Sequence, residues 1–296
     1  MGIRALYDVA APAKLNAFLH IVGRRPDGYH LLQSVFVLID WCDSLHFERR
    51  ADARIVRHDL GIALPADDLC LRAARALQAA SGTPSGVDVS IDKRVPWGAG
   101  LGGGSSDAAS TLLALNRLWD LRWSRERLAD LALGLGADVP FFLGGSHAIV
   151  EGIGERLTPL QLPRAWLAVV KPPASLATAA IFRSPRLGRS IEAAIVEGFT
   201  GGGLTGGSGP LGNVWGYGRN DLQAAAEAES AEVARAASTL EQVFGNSRMT
   251  GSGSAVFAFA GVGERPVAEL PPRLEAGWTS RMCCSLDEHP LSGWAD

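Results

Sequence analysis

Five of the seven residues from Gly98 to Gly104 are glycine, and the run sits between a strand pattern and a helix pattern. Upstream, Val87-Asp88-Val89-Ser90-Ile91-Asp92 alternates apolar and polar residues, the period of a half-buried strand. Downstream, Leu112, Leu113, Leu115, Leu118 and Trp119 fall on one broad face of a helix, with Ser105, Ser106 or Asp107 as candidate caps at its start. Glycines in such a junction let the backbone turn several N–H groups toward one point, where the helix dipole adds positive potential. A loop of this kind suits an anion, above all a phosphate.

Three more familiar readings fit less well. Gly98, Gly100 and Gly103 satisfy the dinucleotide spacing G-x-G-x-x-G, but the acid that should hold a ribose about 20 residues later falls in Ser124-Arg125-Glu126-Arg127-Leu128, the start of another helix. A Walker A loop would need Gly-Lys-Ser/Thr, which is absent. A plain flexible turn does not need Gly-Leu-Gly-Gly-Gly-Ser-Ser running straight into a helix. Taken with Pro96, the run Pro-x-Gly-x-Gly-Leu-Gly-Gly-Gly-Ser-Ser resembles the phosphate loop of the GHMP kinase superfamily, the group of galactokinase, homoserine kinase and mevalonate kinase.

Composition narrows the remaining classes. At 296 residues, with 47% hydrophobic and 20% charged residues, the chain can bury one large or two modest cores. No apolar run approaches the roughly 18 residues of a membrane span, and the first residues carry no signal-peptide pattern. A net charge of −3 without a dense basic run gives no reason to expect nucleic acid. Cys42, Cys70, Cys283 and Cys284 form no C-x-x-C pair and the six histidines no zinc spacing, so reduced thiols, a cytoplasmic setting and no protein-built metal site are expected.

Along the chain, residues 7–23 read as a strand on which Lys14 and Asn16 share one face, although a surface strand would alternate in the same way. Pro26-Asp27-Gly28 marks a turn before Tyr29-His30, and residues 32–39 read as a more buried strand. Residues 67–81 form an amphipathic helix with an aspartate cap, and residues 124–136 another helix. Asp138 then stands at an expected helix-to-strand corner, where a cap or turn acid would also fit. A boundary is expected at residues 160–165, giving units 1–163 and 164–296, the second opening on a strand from Trp166. Residues 198–218 read as a flexible glycine-rich loop, 221–240 as one helix, and 264–296 as a helix plus a strand. Met249 to Phe259 pairs a Gly-Ser turn with an alternating strand, which an ordinary hairpin would also explain.

Five motifs in order sharpen the resemblance: Ala-Pro-Ala-Lys-Leu-Asn at 11–16, Gly-Arg-Arg-Pro-Asp-Gly-Tyr-His at 23–30, the glycine loop, Leu-Gly-Ala-Asp-Val-Pro at 135–140 and Glu-Gly-Ile-Gly-Glu at 151–155. As a set they are similar to the GHMP family that phosphorylates a cytidine-diphosphate-linked methylerythritol in the non-mevalonate isoprenoid pathway. The resemblance implies an α+β, two-domain GHMP kinase architecture, with a ribosomal protein S5 domain 2-like first half, a ferredoxin-like second half and the site in the cleft between them. It implies ATP and Mg2+ as cofactors, a small-molecule partner, neither nucleic acid nor membrane, and a monomer or weak homodimer.

Residue by residue, the resemblance implies Lys14 and Asp138 as catalytic groups, with Asp138 receiving or orienting the hydroxyl proton. Pro96, Gly98, Ala99, Gly100, Leu101, Gly102, Gly103, Gly104, Ser105 and Ser106 would hold ATP. Asn16, Tyr29, His30, Thr178 and Phe182 would hold the substrate, Tyr29 and Phe182 sandwiching the cytosine while His30 reads its edge. Without the resemblance, Tyr29-His30 is a solvent-facing turn and Phe182 an apolar helix residue. Asp68 stands where the family commonly has Asn. A mevalonate- or homoserine-type kinase would share the loop without the Pro-Asp-Gly-Tyr-His turn, and a non-catalytic relative would be expected to lack Lys14 or Asp138; both alternatives stay open on sequence alone.

Overall fold

Strand β1 (Ala5–Arg24) and strand β2 (His30–Arg50) are long, antiparallel and almost wholly buried along their middles. The structure, a computed structural model, describes residues 2–187 and 214–295. One edge of β2 carries β1 throughout. The other edge is shared, with β4 (Gly86–Asp92) on residues 44–50 and β5 (His147–Gly152) on residues 32–36. The short strand β3 (Ile55–Asp59), which sequence patterning does not reveal, lies parallel to β4, and β6 (Arg156–Leu160) closes the other side as a hairpin with β5. Four helices serve this six-stranded sheet: α1 (Leu69–Ser81), α2 (Gly103–Leu118), α3 (Arg125–Leu133) and α4 (Val139–Gly144). Leu112, Leu113, Leu115, Leu118 and Trp119 are all buried in its core, as their spacing predicts.

A second sheet, β10-β7-β9-β8, is antiparallel throughout and comprises β7 (Ala165–Lys171), β8 (Arg248–Met249), β9 (Val256–Val262) and β10 (Thr279–Cys284). Helices α5 (Thr178–Arg183), α6 (Gln223–Glu229) and α7 (Ala231–Phe244) belong to this half. Ala13, Leu15, Val35 and Val37 from the first sheet share one apolar cluster with Leu167, Val169 and Phe257 from the second. Because side chains alternate along β1, burying Leu15 in this layer turns Lys14 and Asn16 to the opposite face.

Several sequence expectations need correction. The helix expected over 221–240 is two helices, broken at Ser230, whose backbone is extended (φ −144°, ψ 113°). Serine competes poorly for helix interiors and favours such junctions. The helix expected within 264–296 does not form among the described residues, which hold only β10 and a 3-10 turn at Ser292–Trp294; Pro266, Pro271 and Pro272 interrupt the earlier part of the segment. Asp138 leads into the short helix α4 rather than a strand, because Pro140 falls in the first turn, where its missing N–H costs nothing. Of the glycine-rich stretch 198–218, residues up to 213 lie outside the described ones, while Val214 and Trp215 are buried in the layer between the sheets.

Candidate active site

The glycine loop is fixed by close backbone contacts. Gly100 has φ +80°, and a Cβ there would stand 2.2 Å from the Thr250 carbonyl oxygen; a Cβ on Gly253 would stand 2.1 Å from the Ala99 carbonyl carbon. The Gly-Ser turn after β8 therefore packs directly on the loop, tied by Ala255 N–H to the Ala99 carbonyl at 3.0 Å. Gly102, at φ +70°, precedes the first residue of α2 and offers no side-chain cap. This overturns the expectation that Ser105, Ser106 or Asp107 caps the helix: all three lie inside its first turns. The consequence favours an anion, since the first amide groups of α2 are left without a capping side-chain acceptor.

A cluster that sequence reading missed braces the loop from below. Lys93 Nζ bonds Asp43 and, at 2.6 Å, Asp107 Oδ2, with all three side chains buried. The other oxygen of Asp43 accepts the backbone N–H groups of Arg94 (2.6 Å) and Val95 (2.8 Å), where the chain enters the loop. Burial pushes the Asp107 carboxyl up, against the pull of Lys93, because two carboxylates here share one ammonium. The residues stand 14 and 50 positions apart from Lys93 in sequence, so only a charged residue pair flanking the glycine run hinted at them.

On the other side of the loop, Lys14 is 3% exposed; its ammonium donates to Asn16 Oδ1 at 2.6 Å, lies 3.7 Å from Asp138 Oδ2 and sits 4.5 Å above the Phe36 ring. Burial lowers the Lys14 pKa, with Asp138 opposing the shift. Register shifts on both sides, at Pro12/Lys14 and Asn16/Leu19, mark β-bulges that re-aim this stretch of β1. The Lys14 backbone N–H bonds the Leu101 carbonyl at 2.9 Å, and Asn16 Nδ2 donates to Ser34 Oγ at 2.9 Å. Asp138 makes no capping bond to α4, which leaves its half-buried carboxylate turned to Lys14.

Two cavities meet at this loop. The larger, about 700 Å³, is lined by Lys14, Asn16, Asp138, Thr178 and the Tyr29, His30 and Phe182 side chains. The smaller, about 410 Å³, runs along the loop from Val95 to Ser105 and reaches Asp68, Lys93 and Asp107. Gly100 and Gly102 line both. Ser106 lines neither: it is fully buried and its hydroxyl has no partner among the described residues. At the far end of the larger cavity, the Phe182 ring stacks on His30 with centroids 5.3 Å apart, Tyr29 is 62% exposed, and Thr178 Oγ1 bonds Ser252 Oγ at 2.8 Å. Asp68 caps α1 by accepting the Leu71 N–H, and it pairs with Arg57 at 3.1 Å.

Residues 68–146 match the GHMP kinases N terminal domain family. The fold resembles a crystal structure of homoserine kinase from Cytophaga hutchinsonii, TM-score 0.66 at 16% identity, over 97% of this chain and 96% of that one. Fold and loop together define a GHMP-type small-molecule kinase, a class that takes its phosphate from ATP. At 61% identity over 100% of both chains, the sequence is similar to a Methylibium petroleiphilum protein named 4-diphosphocytidyl-2-C-methyl-D-erythritol kinase. A crystal structure of 4-(cytidine 5'-diphospho)-2C-methyl-D-erythritol kinase is 35% identical, with TM-score 0.70, over 85% of this chain and 89% of that one. The chain belongs to the 4-diphosphocytidyl-2-C-methyl-D-erythritol kinase family.

Proposed function

We propose that this kinase transfers the γ-phosphate of ATP to the 2-hydroxyl of 4-diphosphocytidyl-2-C-methyl-D-erythritol, a step of isoprenoid precursor biosynthesis by the methylerythritol phosphate pathway. The observation that carries the reading is the Lys14–Asp138 pair, which stands where the two cavities share Gly100 and Gly102. ATP fills the smaller cavity, its phosphates held by amide groups of residues 98–106 and the start of α2. The acceptor fills the larger one, with Tyr29 and Phe182 on the faces of the cytosine, His30 at its edge, and Asn16 and Thr178 along the chain of the substrate.

Phosphoryl transfer asks the protein for positioning and charge stabilisation more than for covalent chemistry. An alcohol attacks best when a carboxylate takes its proton as the new bond forms, the role assigned to Asp138. Lys14 stabilises negative charge developing on the transferred group. Among the described residues no group of three or more His, Cys, Asp or Glu side chains could hold a metal, so Mg2+ would arrive on the triphosphate. Ser105, which lines the smaller cavity, would be the hydroxyl to meet that ion, whereas Ser106 is fully buried and would act from behind the loop. When bound, Mg2+ neutralises charge on the β- and γ-phosphates.

We assign residues 1–163 to an ATP-binding unit and 164–296 to a second unit, in a cytoplasmic enzyme that is a monomer or a weak homodimer. The test is ADP release by the purified protein with Mg-ATP and four acceptors: the diphosphocytidyl methylerythritol, the same alcohol without its cytidyl group, mevalonate and homoserine. Turnover is expected with the first alone. Turnover with mevalonate or homoserine instead would discard Tyr29, His30 and Phe182 as base readers.

A further inference from the structure

We propose that Thr250 is a positioning residue for phosphoryl transfer: its hydroxyl holds Asn16, and Asn16 aims the Lys14 ammonium at the reacting groups. The inference rests on the Lys14–Asp138 reading above. The stretch from Lys14 to Asn16 lies between two register shifts of β1, and the Lys14 backbone is fixed by its bond to the Leu101 carbonyl. That bond does not fix the ammonium, which ends a flexible four-carbon stem. Its aim comes from Asn16 Oδ1, at 2.6 Å. Thr250 Oγ1 accepts the Asn16 backbone N–H at 2.9 Å and donates its proton to the same Oδ1 at 3.3 Å. On the other side of the amide, Asn16 Nδ2 donates to Ser34 Oγ, whose single proton goes to the Phe18 carbonyl. Ser34 can therefore only accept from Asn16, so the amide oxygen must face Lys14 and Thr250. Thr250, Asn16 and Ser34 are all buried.

Thr250 is itself fixed from both sides. Asn220 Nδ2 bonds the carbonyls of the two residues that flank it, Met249 at 2.7 Å and Gly251 at 2.9 Å, and the Thr250 N–H bonds the Ala255 carbonyl at 3.0 Å. Its carbonyl oxygen stands 2.2 Å from where a Cβ on Gly100 would lie. One residue of the Gly-Ser turn thus touches the glycine loop with its backbone and holds β1, 234 positions away in sequence, with its hydroxyl. The two contacts can be separated. A valine keeps the backbone contact to the loop and drops the hydroxyl bonds to Asn16, which should misdirect Lys14 while leaving the ATP side intact. An ammonium that loses an accepting oxygen also gives up its proton more readily. Asp138 faces the same ammonium with its charge and the Phe36 ring lies against it, and neither contact involves Thr250.

The test compares Thr250→Val, Thr250→Ala and Thr250→Ser with the wild type, by kinetics and by NMR titration of lysine. The sequence holds only three lysines, Lys14, Lys93 and Lys171, so a carbon-13 label at lysine Cε gives one signal for each, and Lys14→Met identifies that of Lys14. Thr250→Val and Thr250→Ala should lower kcat about ten- to hundredfold, leave KM for ATP within about threefold, and move the Lys14 titration to lower pH. Thr250→Ser keeps the hydroxyl and should hold kcat within about threefold of wild type with an unshifted titration. A merely structural residue would lower the thermal midpoint without moving the Lys14 signal. Wild-type kcat and an unmoved Lys14 titration in Thr250→Val, with Lys14→Met inactive, overturn the positioning role alone. Thr250→Ser as slow as Thr250→Val also overturns it, because methyl packing would then be what matters. A Lys14→Met that turns over normally overturns the Lys14–Asp138 reading and the positioning role together. The titration needs no turnover, so it tests the hold on Asn16 whichever acceptor the enzyme takes.

Discussion

Lys14 is held in its place at a cost. Its folded pKa lies below the ordinary lysine value because burial disfavours the ammonium more than Asp138 favours it. Below the lowered folded value both folded and unfolded chains carry the proton, so the penalty is fully present there, and it is relieved as pH rises through that value. Lys14→Met should therefore abolish phosphoryl transfer while leaving the thermal midpoint at or above that of the wild type. A midpoint several degrees lower would mean that the ammonium stabilises the fold. Asp138 offers the complementary case: its side chain is 33% exposed and makes no capping bond, so little of the fold depends on it. Asp138→Asn should lower kcat by about 10² to 10⁴ with KM for ATP nearly unchanged, the range of a lost general base. Steady-state kinetics that find normal kcat would remove Asp138 from proton transfer.

At the scale of elements, the loop and the Gly-Ser turn that packs on it behave as one unit. An alanine at Gly100 would meet the Thr250 carbonyl and force a left-handed φ on a residue with a Cβ. Gly100→Ala should raise KM for ATP at least tenfold and destabilise by about 2 kcal/mol or more, a size typical of backbone strain and steric overlap; kinetics and thermal unfolding read the two effects separately. Much of this unit was legible in the sequence. Strand, glycines and helix announce themselves by period and by composition, and Lys14 with Asn16 by alternation. What could not be read is every contact made across the fold: the 3.7 Å approach of Lys14 to Asp138 spans 124 positions, and Lys93, Asp43 and Asp107 each sit in an unremarkable local context. The helix cap is not legible for a related reason. Serine and aspartate are good caps, but α2 already starts a turn earlier, directly after the left-handed Gly102.

For the whole molecule, the segment after β10 does more than its sequence suggests. It returns to the first sheet, where Leu286 N–H bonds the Leu38 carbonyl and Cys284 N–H bonds Asp40, and it buries Leu291 and Ala295 in the first core. Arg125 gathers the Leu143, Ser292 and Ala295 carbonyls around one guanidinium. Two histidines line this seam. His147 Nδ1 accepts the Leu38 N–H, His289 Nδ1 accepts the Leu291 N–H, and the Nε2 of each is buried without a partner among the described residues. Burial lowers both pKa values to about 4, so both rings are neutral in the folded chain at pH 6 while an unfolded chain has begun to take up protons. Stability is then complete above the unfolded value near 6.5 and is lost as pH falls toward 4, by up to about 2 kcal/mol per ring at pH 5. Thermal unfolding between pH 7 and pH 5 should therefore show a steep drop in midpoint. In His147→Asn, whose side-chain oxygen can still accept the Leu38 N–H, the drop should be visibly shallower. An unchanged slope would mean that the ring does not stay neutral in the fold.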